Sequence, residues 1–181
     1  MPLTPSHTRI GLAIAASACM AAAMASARAD WQPCPAVLSQ SDAPAPASDA
    51  QWELLLSPYT HHWSYSPQHR PVILGALERH MAGGHLCGLA LFRNSFGQPA
   101  TYVYLGQEWQ GLLGQPKLSA KISAGLIYGY RNQYQDKIPF NNYGVAPAII
   151  PSLSYAFTPH DSGQMMLLGT AGVLFAYGHR F

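Results

Sequence analysis

The feature that most restricts the fold is the alternation over residues 118–131, LSAKISAGLIYGYR. One parity reads Leu118, Ala120, Ile122, Ala124, Leu126, Tyr128 and Tyr130. The other reads Ser119, Lys121, Ser123, Gly125, Ile127, Gly129 and Arg131, with Ile127 its only large apolar member. Successive side chains of a strand point to opposite faces, so this segment has one apolar face and one small, polar face. The pattern returns in 145–157, where Val145, Pro147, Ile149, Pro151, Leu153, Tyr155 and Phe157 share the outer parity. It returns again at 173–181, where Val173, Phe175, Tyr177, His179 and Phe181 oppose Leu174, Ala176, Gly178 and Arg180. Neither Pro147 nor Pro151 has an N–H to give to a ladder, which marks a locally unpaired seam.

Further strand candidates fall at 53–65, 71–79, 86–94 and 101–109, and the stretch 163–181 splits at the glycines 169 and 172. The total is eight, each near the ~9–11 residues that cross a bilayer at a tilt. An even number leaves both ends of the barrel on one side of the membrane. Charged residues make up 10% of the chain, against about a quarter in soluble domains. A soluble barrel needs a charged outer coat that this composition lacks. The expected fold is therefore an all-β, eight-stranded antiparallel transmembrane β-barrel over 52–181. A narrow pore fits less well, because eight strands leave an interior that side chains fill.

Residues 1–29 read as a secretory signal peptide: a weakly basic start, the apolar run IGLAIAASACMAAAMASA, and Ala27-Arg28-Ala29 as the cleavage region. Residues 30–51 are dense in Pro, Ala, Ser and Asp without periodicity, and read as a disordered periplasmic lead-in. The implied location is the outer membrane of a Gram-negative bacterium. Arg9 and Arg28 fall in the leader, so 8 of the 10 Lys and Arg remain against 8 Asp and Glu. That balance gives no field for nucleic acid, and a monomer is expected. Cys34 and Cys87 could pair after export or stay as two thiols, and no cysteine or histidine spacing suggests a metal or cofactor.

Candidate chemistry is concentrated at two strand ends. In 58–66, PYTHHWSYS, Tyr59, His61, Trp63 and Tyr65 suit an outward aromatic girdle, while Thr60, His62, Ser64 and Ser66 suit the interior. Of the two adjacent histidines, His62 is thus the inward candidate. Ser95 follows the third strand and precedes the turn Gly97-Gln98-Pro99. The first and third strands run the same way, so His62 and Ser95 share one rim, as a serine and its base must. The plainer alternative makes His62 a polar lumen residue and Asn94-Ser95 ordinary turn chemistry.

These residues resemble the PagP family of lipid A palmitoyltransferases, eight-stranded outer-membrane enzymes. The resemblance runs over about 58–181 and rests on THHW (60–63), HRPVILG (69–75), LFRNSFG (91–97), YLGQEW (104–109), PAIIPSLSYAF (147–157) and the terminal Phe181. It implies that His62, Asn94 and Ser95 are catalytic, with His62 the general base and Asn94 and Ser95 holding the developing oxyanion, that Asn94 stands where the family has an aspartate, and that Gly106 matches a glycine at the floor of the acyl pocket. Arg93 would favour a phosphate-bearing head group. The implied partners are membrane lipids, a phospholipid donor and lipid A or another lipid as acceptor, with no cofactor. An amide at 94 cannot stabilise an imidazolium as a carboxylate can. The alternative function is therefore a catalytically inactive small outer-membrane barrel with a lipid-binding or envelope-supporting role.

Overall fold

The computed structural model describes residues 51–181. The expected signal peptide and lead-in, with Cys34, lie outside the described residues, apart from Gln51. Eight strands follow in chain order: β1 (Gln51–His62), β2 (Leu74–His80), β3 (His85–Arg93), β4 (Pro99–Gln110), β5 (Leu118–Tyr128), β6 (Val145–Ala156), β7 (Asp161–Leu167) and β8 (Gly172–Arg180). Each pairs antiparallel with the next, and β1 closes onto β8 to complete an eight-stranded barrel. The alternation in 118–131 resolves as expected. Ser119, Lys121 and Ser123 are buried inside, while Ile122 and Leu126 are exposed outside.

The outer surface is an apolar belt. Leu54, Leu91, Val103, Ile122, Leu126, Ile149 and Phe175 are among the large apolar side chains exposed on it. Trp52, Trp109, Tyr155, Tyr177 and Phe181 ring the end that carries the termini. A surface of this kind is stable in hydrocarbon with an aromatic girdle at the interface, so the fold is that of a transmembrane barrel. The turns at the termini end are short (81–84, 111–117, 157–160), whereas the opposite end carries the longer connections 63–73 and 129–144. Cys87 is disulfide-bonded.

The largest differences from the expected strand boundaries are at three places; the fifth strand stops at Tyr128 rather than 131. The first strand stops at His62 rather than 65, and the second starts at Leu74 rather than 71. Pro67 and Pro71 lie between them, and neither can donate to a ladder. The β1–β2 pairing accordingly ends at Ser57↔Leu74, leaving 59–62 in a ladder with β8 alone. On the far side, the β6–β7 ladder covers only Ser152–Ala156 of β6, so Pro147 and Pro151 pair on the β5 side alone.

The lumen has two layers. At the termini end Glu53, Glu78, Glu108, His80 and Lys121 are all buried. Above them an apolar core of Leu55, Ala76, Leu86, Ala90, Leu174 and Ala176 packs with Phe92, Ile127 and Ile150. Tyr102 and Tyr104, stacked with ring centroids 4.5 Å apart, mark the transition, since Tyr104 also donates its hydroxyl to Glu78 Oε1 at 2.8 Å.

Candidate functional site

A bulge decides which histidine enters the lumen. In the lower part of β1 the odd residues Glu53, Leu55 and Ser57 are buried, but beyond Pro58 the even ones are, Thr60 first. The β1–β8 register shifts between Leu56 and Tyr59, and Ser57 Oγ donates to Phe175 O at 2.6 Å inside the irregularity. A bulge inserts one residue and so re-aims every side chain after it. His61 is consequently exposed on the outside, and His62 turns inward.

Ser95 reaches His62 because β3 ends two residues earlier. Regular alternation would put Ser95 on the outward parity with Leu89 and Leu91, but the strand stops at Arg93 and the chain turns. His62 Nε2 and Ser95 Oγ lie 2.6 Å apart, a hydrogen bond between groups 33 residues apart in sequence. The other face of the His62 ring is covered by His69, with ring centroids 4.2 Å apart. His69 in turn meets the edge of Phe96, which stacks on Tyr134 at 4.4 Å. The rim over the lumen is thus an aromatic cap with one imidazole–hydroxyl pair beneath it.

Asn94 is fully buried and its side chain is committed to the turn. Oδ1 accepts from the Phe96 and Gln98 N–H groups, both at 3.0 Å, and Nδ2 donates to Gly129 O at 3.3 Å. This Asx arrangement, closed by Gly97 at φ 77 and its N–H donating to Asn94 O, fixes the backbone that carries Ser95. An ionised aspartate could accept the two turn bonds but could not donate to Gly129. Among the described residues no carboxylate is hydrogen-bonded to His62.

The other two candidates separate. Arg93 is exposed at the top of β3 on the outward parity, away from the lumen. Gly106 faces inward beneath Leu86, where a Cβ would lie 2.8 Å from both Leu86 Cδ1 and Ile122 O. It therefore sits at the level where the apolar core meets the ionic layer. Arg70, which the sequence reading did not single out, lines a cleft of about 260 Å³ together with Pro58, Thr60, His62, His69 and Pro71.

The ionic layer was also outside the sequence expectation. Lys121 Nζ donates to both Glu78 oxygens at 2.8 Å and to Gln164 Oε1 at 3.0 Å. Arg180 holds Glu108 through both carboxylate oxygens at 2.9 Å and Glu53 at 3.2 Å. His80 Nε2 faces Glu53 at 2.8 Å and Glu78 at 3.1 Å, while Nδ1 faces Glu108 at 3.3 Å. Both ring nitrogens can donate only as imidazolium, so three carboxylates balance Lys121, Arg180 and His80. Ligand atoms of Glu53, Glu78 and His80 lie within 4.8 Å of one another, a spacing a cation could bridge. The chain's own cations already meet that charge. A usable signal existed: all three glutamates of the chain fall on inward parity in the strand halves nearest the termini.

No protein-family model matches the chain, and no curated protein matches it. Among solved structures it is similar to a chain reported under the de novo design of transmembrane β-barrels, at 12% identity and a TM-score of 0.52. That match covers 76% of this chain and 98% of the designed one. At this identity the likeness concerns the fold alone: an eight-stranded antiparallel barrel of the membrane-spanning kind.

Proposed function

We propose that the protein is an outer-membrane acyltransferase of the palmitoyltransferase type, moving an acyl chain from a phospholipid to lipid A or another lipid acceptor. The observation that carries this reading is the 2.6 Å contact of His62 Nε2 with Ser95 Oγ, held above an apolar interior. A serine hydroxyl is a weak nucleophile until a base within hydrogen-bond reach takes its proton. Here Ser95 Oγ attacks the donor's ester carbonyl while its proton passes to His62 Nε2. The carbonyl C–O bond to the glycerol then breaks, and the imidazolium returns the proton to the departing alkoxide, releasing a lysophospholipid. The acceptor hydroxyl next gives its proton to His62 as its oxygen attacks the Ser95 ester; the acyl C–Oγ bond breaks and His62 returns that proton to Ser95 Oγ.

Asn94 acts through the turn rather than on the reacting atoms, and the acyl chain lies against small lumen residues such as Ala76 and Ala90. The short-turn and long-loop ends agree with a bacterial outer-membrane barrel whose termini face the periplasm. A second reading, a catalytically silent lipid-binding barrel, is favoured by one observation: His62 has no carboxylate partner among the described residues.

The test is expression in a Gram-negative host lacking its own palmitoyltransferase, with mass spectrometry of lipid A and phosphatidylglycerol. One added acyl chain on either lipid is the expected result. Unchanged lipids beside a folded, membrane-inserted barrel would overturn the enzyme reading.

A further inference from the structure

The His62 ring makes one hydrogen bond among the described residues, between Nε2 and Ser95 Oγ. A ring held at one nitrogen can still turn about that contact, and a general base needs a third group that fixes its orientation. No carboxylate does this here, and the Asn94 side chain is committed to its own turn. Something else has to hold the imidazole.

His69 stands where such a group could act. Its half-buried ring lies over the face of His62, with centroids 4.2 Å apart and planes inclined by 30°. The edge of Phe96 supports His69 at 5.7 Å, Tyr134 stacks on Phe96 at 4.4 Å, and Lys137 Nζ lies 5.9 Å from the Phe96 centroid. Stacked and edge-on rings at such separations attract in a defined geometry, so the column resists rotation of its end member. A ring face also attracts a cation, which suits the imidazolium formed when Ser95 loses its proton.

The position of His69 is set by the turn that carries Ser95. His69 N–H donates to Ser66 O at 3.0 Å, and the next N–H, that of Arg70, donates to Ser95 O at 2.8 Å. The Arg70 side chain packs on the same turn, where a Cβ at Gly97 would lie 3.1 Å from Arg70 Cδ. The nucleophile and the ring that backs its base are thus held in one frame.

We propose that His69 is the positioning residue for His62, holding its ring face-on so that Nε2 meets Ser95 Oγ, the part a carboxylate takes in other serine–histidine sites. The assignment rests on the acyl-transfer reading. A carboxylate orients an imidazole through a hydrogen bond, whereas His69 does so through its ring face. Any flat ring at 69 should therefore serve, and an aliphatic side chain of similar bulk should not.

The test compares His69→Ala, His69→Leu and His69→Phe in the full barrel in octyl glucoside micelles, counting only folded protein. The turnover-free probe is an alkyl fluorophosphonate: a bond forms from Ser95 Oγ to phosphorus, fluoride leaves, and the hydroxyl proton passes to His62. Labelling should slow about 10- to 100-fold in the Ala and Leu variants and stay within about threefold in the Phe variant. For acyl transfer from phosphatidylglycerol the same order should appear in kcat, with KM within about twofold. A Phe variant as slow as Leu, equal rates throughout, or a loss confined to KM overturns the assignment. Labelling that follows the ring at 69 beside unchanged lipids defeats the acyl-transfer reading alone. Acyl transfer indifferent to the ring at 69 defeats this assignment alone. Neither labelling nor transfer by the unsubstituted protein defeats both.

Discussion

The two halves of the lumen are built on opposite rules. In the half near the termini, three carboxylates meet Lys121, Arg180 and His80, with Ser119, Gln164 and Tyr104 taking further oxygens. The half near the long connections holds one hydroxyl–imidazole pair, a Thr60 hydroxyl with no partner among the described residues, and two unladdered edges, at β1–β2 and at upper β6. A buried charge tolerates no missing partner, and each charge of the lower cluster has one, although Ser152 Oγ, in register with Lys121, has none among the described residues. A site that must receive a substrate keeps some of its capacity unused. The difference teaches where to look for chemistry in a polar lumen: beside the incomplete pairs rather than among the dense ones.

The sharpest way to break this contrast is substitution at the upper pair. Ser95→Ala and His62→Ala are each expected to lower acyl transfer by at least about 10⁴-fold, with the unfolding temperature nearly unchanged. His61→Ala, one residue away but outside the barrel, should stay within about threefold, because general-base capacity belongs to the inward imidazole alone. The same pair predicts loss of transfer on the acid side. There the His62 ring takes a proton and can no longer accept the one from Ser95.

The lower half should respond the other way. Glu78→Gln or Lys121→Met breaks a buried pair and should cost about 3–5 kcal/mol in denaturant unfolding of the vesicle-inserted barrel. Transfer per folded barrel should stay within a few-fold. Between these extremes lies Asn94→Asp, which keeps the two turn acceptor bonds and loses the donation to Gly129, a change of about 1–3 kcal/mol. A larger fall in activity than in stability would show that the turn positions Ser95. Thr60→Val should give the smallest effect and the opposite sign. Removing a buried hydroxyl that has no partner among the described residues should raise stability by up to about 1 kcal/mol.

The fold was legible because lipid outside and packed side chains inside enforce a period of two, and Leu118–Tyr128 and Val145–Ala156 keep it without interruption. Ser95 was legible for the opposite reason: it could face inward only past the end of a regular strand, and β3 does end before it. The β1 bulge was not. Pro58 was its one local sign, and the parity change from Ser57 to Thr60 depends on pairing with β8, far along the chain. His69 and Arg70 were hidden for a similar reason, since a connection between strands has no period to read. Asn94 looked the same in sequence as a catalytic amide or an Asx turn, and the turn role shows only in the positions of the Phe96 and Gln98 N–H groups. The glutamates were readable strand by strand, but their convergence appears only when the barrel closes.

The most direct test of the central claim is a double-mutant cycle on His62 and Ser95, scored as acyl transfer from phosphatidylglycerol per folded barrel. If the two act as one unit, each single alanine variant is as inactive as the double variant. Single variants that retain activity, or a double variant whose loss is the product of two independent losses, would contradict the account.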